Sequence, residues 1–184
     1  DEGVSRQAVD HLIAHGHRRI AFVGSDERYP TTTARLRGYY ASMHAAGLEP
    51  DPAWIRHGPT RDVDAAGVAA ELLAAEEAPT AIFAANPRAA IGVVHHLHTT
   101  GRTDVAFVSF GDFTLAQTLR PAVTIVKQDP VAIGIAAIER VLTHLDARKQ
   151  RAVDPDAEIP GDAPRTILVD TPLIVRGSGE VQPA

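Results

Sequence analysis

The sequence contains no cysteine, which excludes both a disulfide framework and a thiolate metal site. No apolar stretch approaches the roughly 20 residues of a membrane-spanning helix, and no secretory h-region opens the chain. No long basic run occurs, Arg18 and Arg19 being a short pair, and the formal net charge is −5. Such a charge balance disfavours contact with a phosphate backbone, so we expect no nucleic-acid binding by this segment itself. Together these absences predict a soluble, cytoplasmic protein without membrane contact.

Methionine is also scarce, since Met43 is the only one and the chain opens on Asp1 rather than at an ordinary translation start. We therefore expect a fragment of a longer protein. Its 184 residues are 45% hydrophobic, which is enough for one compact α/β domain with a substantial core.

Short runs of consecutive apolar residues predict strands that are covered on both faces. The clearest are Ile20–Val23, Ala81–Ala84 and Val105–Phe110, with a weaker run at Trp54–His57 and a further one at Val123–Val126. Helical spacing of apolar residues separates them, as in the following stripes: Val9, Leu12 and Ile13; Leu36, Tyr39, Tyr40 and Met43; Ala65, Val68, Ala69 and Leu72; Ile91, Val94 and Leu97; Ile135, Ile138, Leu142 and Leu145. This alternation predicts an α/β fold with right-handed βαβ units and a doubly wound parallel sheet.

The end of the chain has a different character. Residues 151–164 are rich in Pro, Asp and Ala and predict an exposed loop. Two strand-like runs follow at Thr166–Val169 and Leu173–Val175. We expect no partner for them within this chain, which suggests that they complete a second lobe whose other strands lie upstream of Asp1.

Polar residues follow each predicted strand, where the crevice of a doubly wound sheet binds its ligands. They form four groups: Gly24–Asp26 with Tyr29, Thr31–Thr33, Arg35 and Arg37; Gly58–Arg61; Ala85–Arg88; Gly111–Asp112. Carboxylates and amides accept hydrogen bonds from hydroxyl groups while guanidinium groups donate to them, so such a mixture suits a hydroxyl-rich molecule.

Each of these residues also fits a structural role. Asn86 before Pro87 is a natural helix N-cap, Thr31–Thr33 and Asp112 can cap helices as well, and Arg37 fits a solvated helix surface. On spacing alone capping is favoured at each single position. Their coincidence at one edge of the sheet favours a binding site.

Catalytic machinery is not recognisable. His95, Ser109 and Asp112 could be imagined as a triad, but Ser109 lies inside a strand and no Gly-x-Ser-x-Gly occurs. Walker A and Gly-x-Gly-x-x-Gly sequences are also missing. We therefore predict no enzyme activity, no catalytic residue and no cofactor.

Several segments, in this order along the chain, resemble the effector-binding core of the LacI/GalR family of bacterial transcription regulators. They are His11–Gly24, Thr33–Tyr39, Pro79–Asn86, Ala90–Val93, Phe110–Pro130 and Leu173–Ser178. The resemblance implies a two-lobed fold of the periplasmic-binding-protein-like type I, with a ligand in the cleft between lobes. It places the C-terminal lobe at 1–128, a helix and strands that return to an incomplete N-terminal lobe at 129–178, and a tail at 179–184.

The resemblance also implies ligand contacts. Arg37 matches the family's effector-binding arginine, Asn86 an asparagine after the third strand, Thr33 a hydroxyl position, and Phe110 a residue that packs on the ligand. The expected effector is a small polar molecule, most simply a sugar or sugar derivative.

Two positions depart from the family pattern. The family usually has aspartate where Gly111 stands and, after the asparagine, where Pro87 stands. We therefore expect a rearranged contact in which Asp112 or Arg88 takes part.

Partners follow from the same resemblance. It implies a homodimer through the helix after Asn86 and the segment after Asp112, with Ile91, His95 and Leu115 as interface residues, and DNA binding only through a missing upstream helix-turn-helix. A metal site at His95 and His98 is the less favoured alternative, because no carboxylate or cysteine completes it. A periplasmic sugar-binding receptor of a transport system, which shares the fold, is the alternative function.

Overall fold

The computed structural model describes residues 1–58, 62–154 and 166–183. Its strands are β1 (Ile20–Gly24), β2 (Ile55–His57), β3 (Ala81–Ala84), β4 (Ala106–Phe110), β5 (Thr124–Val126) and β6 (Leu173–Ile174). Its α-helices are α1 (Glu2–Ala14), α2 (Pro30–Ala45), α3 (Asp62–Ala74), α4 (Pro87–Thr99) and α5 (Pro130–Val153). No helix within these residues combines the length and apolar character needed to cross a bilayer.

The chain divides into two compact units. The sheet unit comprises Asp1–Gln128 and Pro172–Ala184, and the helix unit comprises Asp129–Thr171. In the sheet unit the six strands lie in the order β2-β1-β3-β4-β5-β6. Neighbours from β2 to β5 pair in parallel, and β6 pairs antiparallel with β5. The predicted doubly wound parallel sheet is confirmed.

Alternate residues along each central strand face two separate cores. On β1, Ile20 and Phe22 pack with α1 and α2, whereas Ala21 and Val23 pack with α3 and α4. All residues of β1, β3, β4 and β5 are buried. Burial on both faces is the reason why these strands are mainly apolar along their length rather than alternating.

Two expectations for the late strands are wrong. The segment Thr166–Val169 forms no strand. Leu173 and Ile174 have partners within this chain, because they pair with Val126 and Ile125 of β5. Two residues are too few for a recognisable alternation, so the sequence could not show which strand they join.

Smaller boundary differences occur elsewhere. Trp54 lies in a 3₁₀ turn before β2, and its indole nitrogen donates a hydrogen bond of 2.9 Å to the Glu77 carbonyl. Helix α5 continues to Val153, so the loop predicted from 151 begins at Asp154, and its remainder at 155–164 lies outside the described residues. The predicted tail at 179–184 begins inside a second 3₁₀ turn, Ser178–Glu180, in which Ser178 and Gly179 are buried.

The helix unit contains α5, whose first turn is capped by Asp129 accepting a hydrogen bond of 2.9 Å from the Ala132 amide. Its larger apolar residues are more than 40% exposed, namely Val131, Ile133, Ile135, Ile138, Val141, Leu142, Leu145 and Val153. The stripe predicted from Ile135, Ile138, Leu142 and Leu145 is therefore helical but not covered by the described residues. Assignment of this helix to a second lobe stays a prediction.

Candidate functional site

Arg35 lies at the carboxyl ends of β3 and β4, with its guanidinium over the Phe110 ring at 3.7 Å from the ring centroid. Its Nη1 donates a hydrogen bond of 2.8 Å to the Ala85 carbonyl, and its Nη2 lies 2.8 Å from the Asp1 carboxylate. Only 12% of the side chain is exposed. Burial lowers the pKa of Arg35 to about 10, so the group stays charged at neutral pH. The stacked geometry is a cation–π contact that fixes the guanidinium plane.

Arg37, the arginine predicted to bind a ligand, points elsewhere. Its side chain is 60% exposed, and its Nε donates a hydrogen bond of 3.1 Å to Glu2 of α1. Residues i and i+2 of an α-helix are separated by about 200° around the helix axis, so Arg35 and Arg37 cannot share one face. The sequence did contain a signal for Arg35. It stands four residues before Tyr39, which is buried, so both lie on the face of α2 that packs on the sheet, and Arg35 is the one nearer to the strand ends.

Asn86 joins β3 to α4 and combines two contacts. Its side-chain oxygen accepts a hydrogen bond of 2.9 Å from the Ala89 amide, so the residue is indeed the N-cap of α4. Its Nδ2 donates a hydrogen bond of 3.1 Å to the Ser25 hydroxyl at the end of β1. Capping uses only the side-chain oxygen, and the bond to Ser25 uses one of the two amide N–H donors, so one N–H remains for a further acceptor.

Thr33 is occupied locally. Its hydroxyl donates a hydrogen bond of 2.9 Å to the Glu27 carbonyl, which ties α2 to the loop after β1. The same loop carries a bidentate pair between Asp26 and Arg28, with Nη2 and Oδ2 2.8 Å apart. Nearby, His57 Nε2 lies 2.9 Å from Glu27. Pro59, Thr60 and Arg61, which belong to the predicted group after β2, lie outside the described residues.

Gly111 and Pro87, the two positions expected to depart from the family pattern, lie against each other. A Cβ atom on Gly111 would stand 2.7 Å from Cγ of Pro87, and the glycine has φ +92°. Its amide donates to the Val126 carbonyl at 2.9 Å, and its carbonyl accepts a hydrogen bond of 2.8 Å from Ser109. The proline ring therefore fills the space into which a side chain at 111 would extend.

Asp112 is paired away from Arg35. Its carboxylate oxygens accept hydrogen bonds of 3.2 and 3.0 Å from Arg176, which follows β6. The hydrogen bond from Arg176 lowers the pKa of Asp112 below its usual value. Arg88, the other expected participant, is exposed on the first turn of α4. Among the described residues, the side-chain contacts of Asp112 are with Arg176 and its own neighbour Phe113, and the part of Asp112 and Arg88 in ligand binding stays a prediction.

We call the residues that do meet at the strand ends the strand-end rim: Ser25, Arg35, Ala85, Asn86, Phe110 and Gly111. Two neighbouring side-chain contacts define it, the Arg35–Phe110 stack and the Ser25–Asn86 hydrogen bond. The sequence located the strand ends and three of these residues as ligand contacts or as the rearranged position, but it did not single out Ser25 or Arg35.

The residues predicted to form a dimer interface are on the surface. Ile91 and His95, four residues apart on α4, are exposed, as is Leu115, which has φ +72°. His98 is half-buried. Within the described ranges no three histidine or acidic side chains are grouped as a metal ion would require. The interface itself stays a prediction.

Residues 9–178 match the model of a family described as periplasmic binding protein-like domain. Among curated proteins, the HTH-type transcriptional regulator CelR of Thermobifida fusca is 33% identical over 183 residues, which are 96% of this chain and 49% of that protein. The chain thus spans about half the length of the curated relatives it matches.

Solved structures give the same picture. A regulatory protein of the LacI family from Chloroflexus aggregans is 30% identical, with a TM-score of 0.79 over 96% of this chain and 61% of that one. A protein assigned as a ribose operon repressor from Burkholderia thailandensis is also 30% identical, with a TM-score of 0.70 over 80% of this chain and 56% of that one.

Proposed function

The chain belongs to the family of periplasmic binding protein-like domains, in the form that LacI-type regulators carry, and on that premise we propose that it is the ligand-sensing part of such a regulator. The ligand is a small polar molecule that binds at the strand-end rim. DNA binding resides in another part of the full-length protein, consistent with the net charge of −5 of this segment. The similar proteins found are regulators rather than transport receptors or enzymes, which favours regulation over both alternatives.

The observation that carries the proposal is the Arg35–Phe110 stack beside Asn86. Arg35 keeps N–H groups beyond those that bond to Asp1 and Ala85, and its charge is held in a mostly buried setting. A guanidinium fixed on an aromatic ring donates to two adjacent oxygens at little entropic cost, and vicinal hydroxyls present such a pair. This supports Arg35 as the main ligand contact.

A sugar or sugar derivative fits this donor set, and a similar protein is named for the ribose operon. Binding between two lobes would bias their arrangement and so change DNA affinity, with a coupling free energy of about 1–3 kcal/mol for systems of this kind. The regulator acts in the cytoplasm as a homodimer, for which Ile91, His95 and Leu115 offer the exposed contacts.

A thermal-shift screen of the full-length protein against sugars, sugar phosphates and nucleobases tests the proposal. With the responding ligand, Arg35→Lys should weaken binding about tenfold or more, because a lysine loses the planar pair of donors. Arg37→Lys is the matched control on the same helix and should leave the affinity unchanged.

The opposite pattern, a loss in Arg37→Lys alone, would return the contact to the residue implied by the family resemblance. Wild-type affinity in both variants would contradict the strand-end rim as the binding site. Melting temperatures without ligand report whether Arg35→Lys has damaged the fold.

A further inference from the structure

A polar cavity of about 140 Å³ lies at the amino ends of the central strands. Its lining includes Arg19 before β1, Thr80 before β3, and Arg102 and Asp104 before β4. Because β1, β3 and β4 are parallel, these residues share the edge of the sheet opposite the strand-end rim. The cavity is therefore separate from the proposed effector site, and an inference about it does not rest on that function.

Arg19 is anchored at its base and open at its tip. Its Nε donates a hydrogen bond of 2.9 Å to the Ala78 carbonyl, and its own carbonyl accepts hydrogen bonds from Thr80 at 2.8 Å and Ala81 at 3.2 Å. Across the described residues its two terminal nitrogens donate to no acceptor. Four N–H donors thus remain on an exposed guanidinium that one hydrogen bond orients toward the cavity.

Arg102 also lines the cavity, and its guanidinium likewise has both bonded and unbonded nitrogens. Its Nε and Nη2 donate to Asp104 at 2.9 and 3.1 Å, which leaves Nη1 without an acceptor in the described part of the chain. Its amide donates to the Leu97 carbonyl at 2.8 Å, so the backbone is held as well. Two arginines against one aspartate give the lining a formal charge of +1.

We propose that this cavity binds a small oxyanion, a phosphate group in its simplest form. At about 30 Å³ for each water in the liquid, 140 Å³ holds about five waters, which is room for a phosphate group. Phosphate oxygens match the spacing of guanidinium donors, and both arginines have donors without an acceptor among the described residues.

Binding should be felt beyond the cavity through Thr80. Its hydroxyl lies 2.9 Å from Nδ1 of His17, whose Nε2 lies 2.7 Å from the Val181 carbonyl. A phosphate next to Thr80 therefore perturbs a hydrogen-bonded chain that ends in the C-terminal segment. The amide signal of Val181 therefore reports binding in the cavity, because a ligand at the strand-end rim would not contact this segment directly.

Titration of the ¹⁵N-labelled chain with inorganic phosphate, and separately with glycerol phosphate, tests the proposal, with chloride at matched ionic strength as the blank. We expect saturable amide shifts at Thr80, Asp104 and Val181, with a Kd on the order of 1 mM. A response to the ester alone would identify a phosphorylated metabolite as the ligand, and a response to both would identify the phosphate group itself.

Arg19→Gln and Arg102→Gln should each weaken binding about tenfold. Arg18→Gln removes the same charge from the neighbouring residue, whose Nη1 donates to backbone carbonyls of Ile13 and His17, and should leave binding unchanged. Equal weakening in all three variants would mean unspecific attraction and overturn the proposal. Shifts confined to Asn86 and Gly111, or none with either phosphate, would overturn it too.

Discussion

Gly111 shows how a single missing Cβ atom shapes the strand-end rim. Its backbone has φ +92°, a conformation that side-chain-bearing residues rarely adopt, and Pro87 occupies the neighbouring space. Both conditions exclude a larger residue independently. Any carboxylate-bearing side chain at 111 would therefore meet both the strain of this backbone conformation and the ring of Pro87 at the start of α4.

Gly111→Ala should lower the free energy of unfolding by about 1–3 kcal/mol, through backbone strain and contact with Pro87. In a double-mutant cycle Pro87→Ala should recover the contact part only, so the two substitutions are not additive. Urea denaturation of the four proteins measures this. Gly47→Ala is the control, since Gly47 has φ +70° and no atom near a Cβ, and strict additivity at 87 and 111 would refute the coupling.

At the scale of elements, the C-terminal segment is fastened to the sheet by buried polar groups. Ser178 donates a hydrogen bond of 2.5 Å to the Phe107 carbonyl of β4 and accepts one of 2.9 Å from the Thr124 amide of β5. Glu180 contacts both Thr124 and His11 of α1. Beyond them Val181 bonds to His17, a fully buried residue. The segment therefore connects β4, β5, α1 and the start of β1.

His17 should make this fastening sensitive to acid. Burial lowers the pKa of His17 below the usual 6.5, so the folded protein favours the neutral ring. Its contribution is complete above about pH 6.5, where the unfolded chain is neutral too, and falls by up to about 1.4 kcal/mol per pH unit below it.

Urea denaturation between pH 7.5 and 5.5 measures the effect. His17→Gln keeps a donor and an acceptor but cannot titrate, so its stability should fall less than that of the wild type over this interval. His44→Gln, on an exposed side chain, should follow the wild type. A His17→Gln slope equal to that of the wild type would contradict the argument.

The elements differ in how far the sequence reveals them. Strands β1, β3 and β4 agree with prediction to within one residue, because burial on both faces leaves unbroken apolar runs. The partner of strand β6 was predicted wrongly because two residues are too few to show an alternation of apolar and polar positions. The choice between Arg35 and Arg37 depends on the rotation of α2, which is fixed where Gly38 lies so close to α1 that a Cβ would stand 2.3 Å from the Glu2 carbonyl. The sequence of neither helix alone predicts such a contact between them.

At the scale of the whole molecule, the sheet unit is covered on both faces whereas α5 displays an apolar stripe. Ile138 is 63% exposed and Leu142 is 55% exposed. Exposed apolar surface of this kind marks an interaction site or an aggregation risk. The curated relatives are about twice as long as this chain. The effect of the apolar stripe on association is therefore measured in the isolated chain.

We expect the isolated chain to self-associate as its concentration rises, and the pair Ile138→Glu and Leu142→Glu to suppress this, because charges disfavour apolar contact. Sedimentation velocity over a concentration series measures the association. Gln150→Glu adds charge elsewhere on α5 and should have little effect. Association that persists in the double variant would locate the contact on another surface.

Strands β5 and β6 also determine how the chain is connected. The chain leaves the sheet unit at Gln128 and re-enters it at Pro172, and the Lys127 amide donates a hydrogen bond of 2.9 Å to the Pro172 carbonyl. In topological terms residues 129–171 are an insertion at the turn of an antiparallel hairpin. Because Lys127 and Pro172 are already joined by a hydrogen bond, a turn of a few residues could replace residues 129–171 and leave the pairing of β5 with β6 in place.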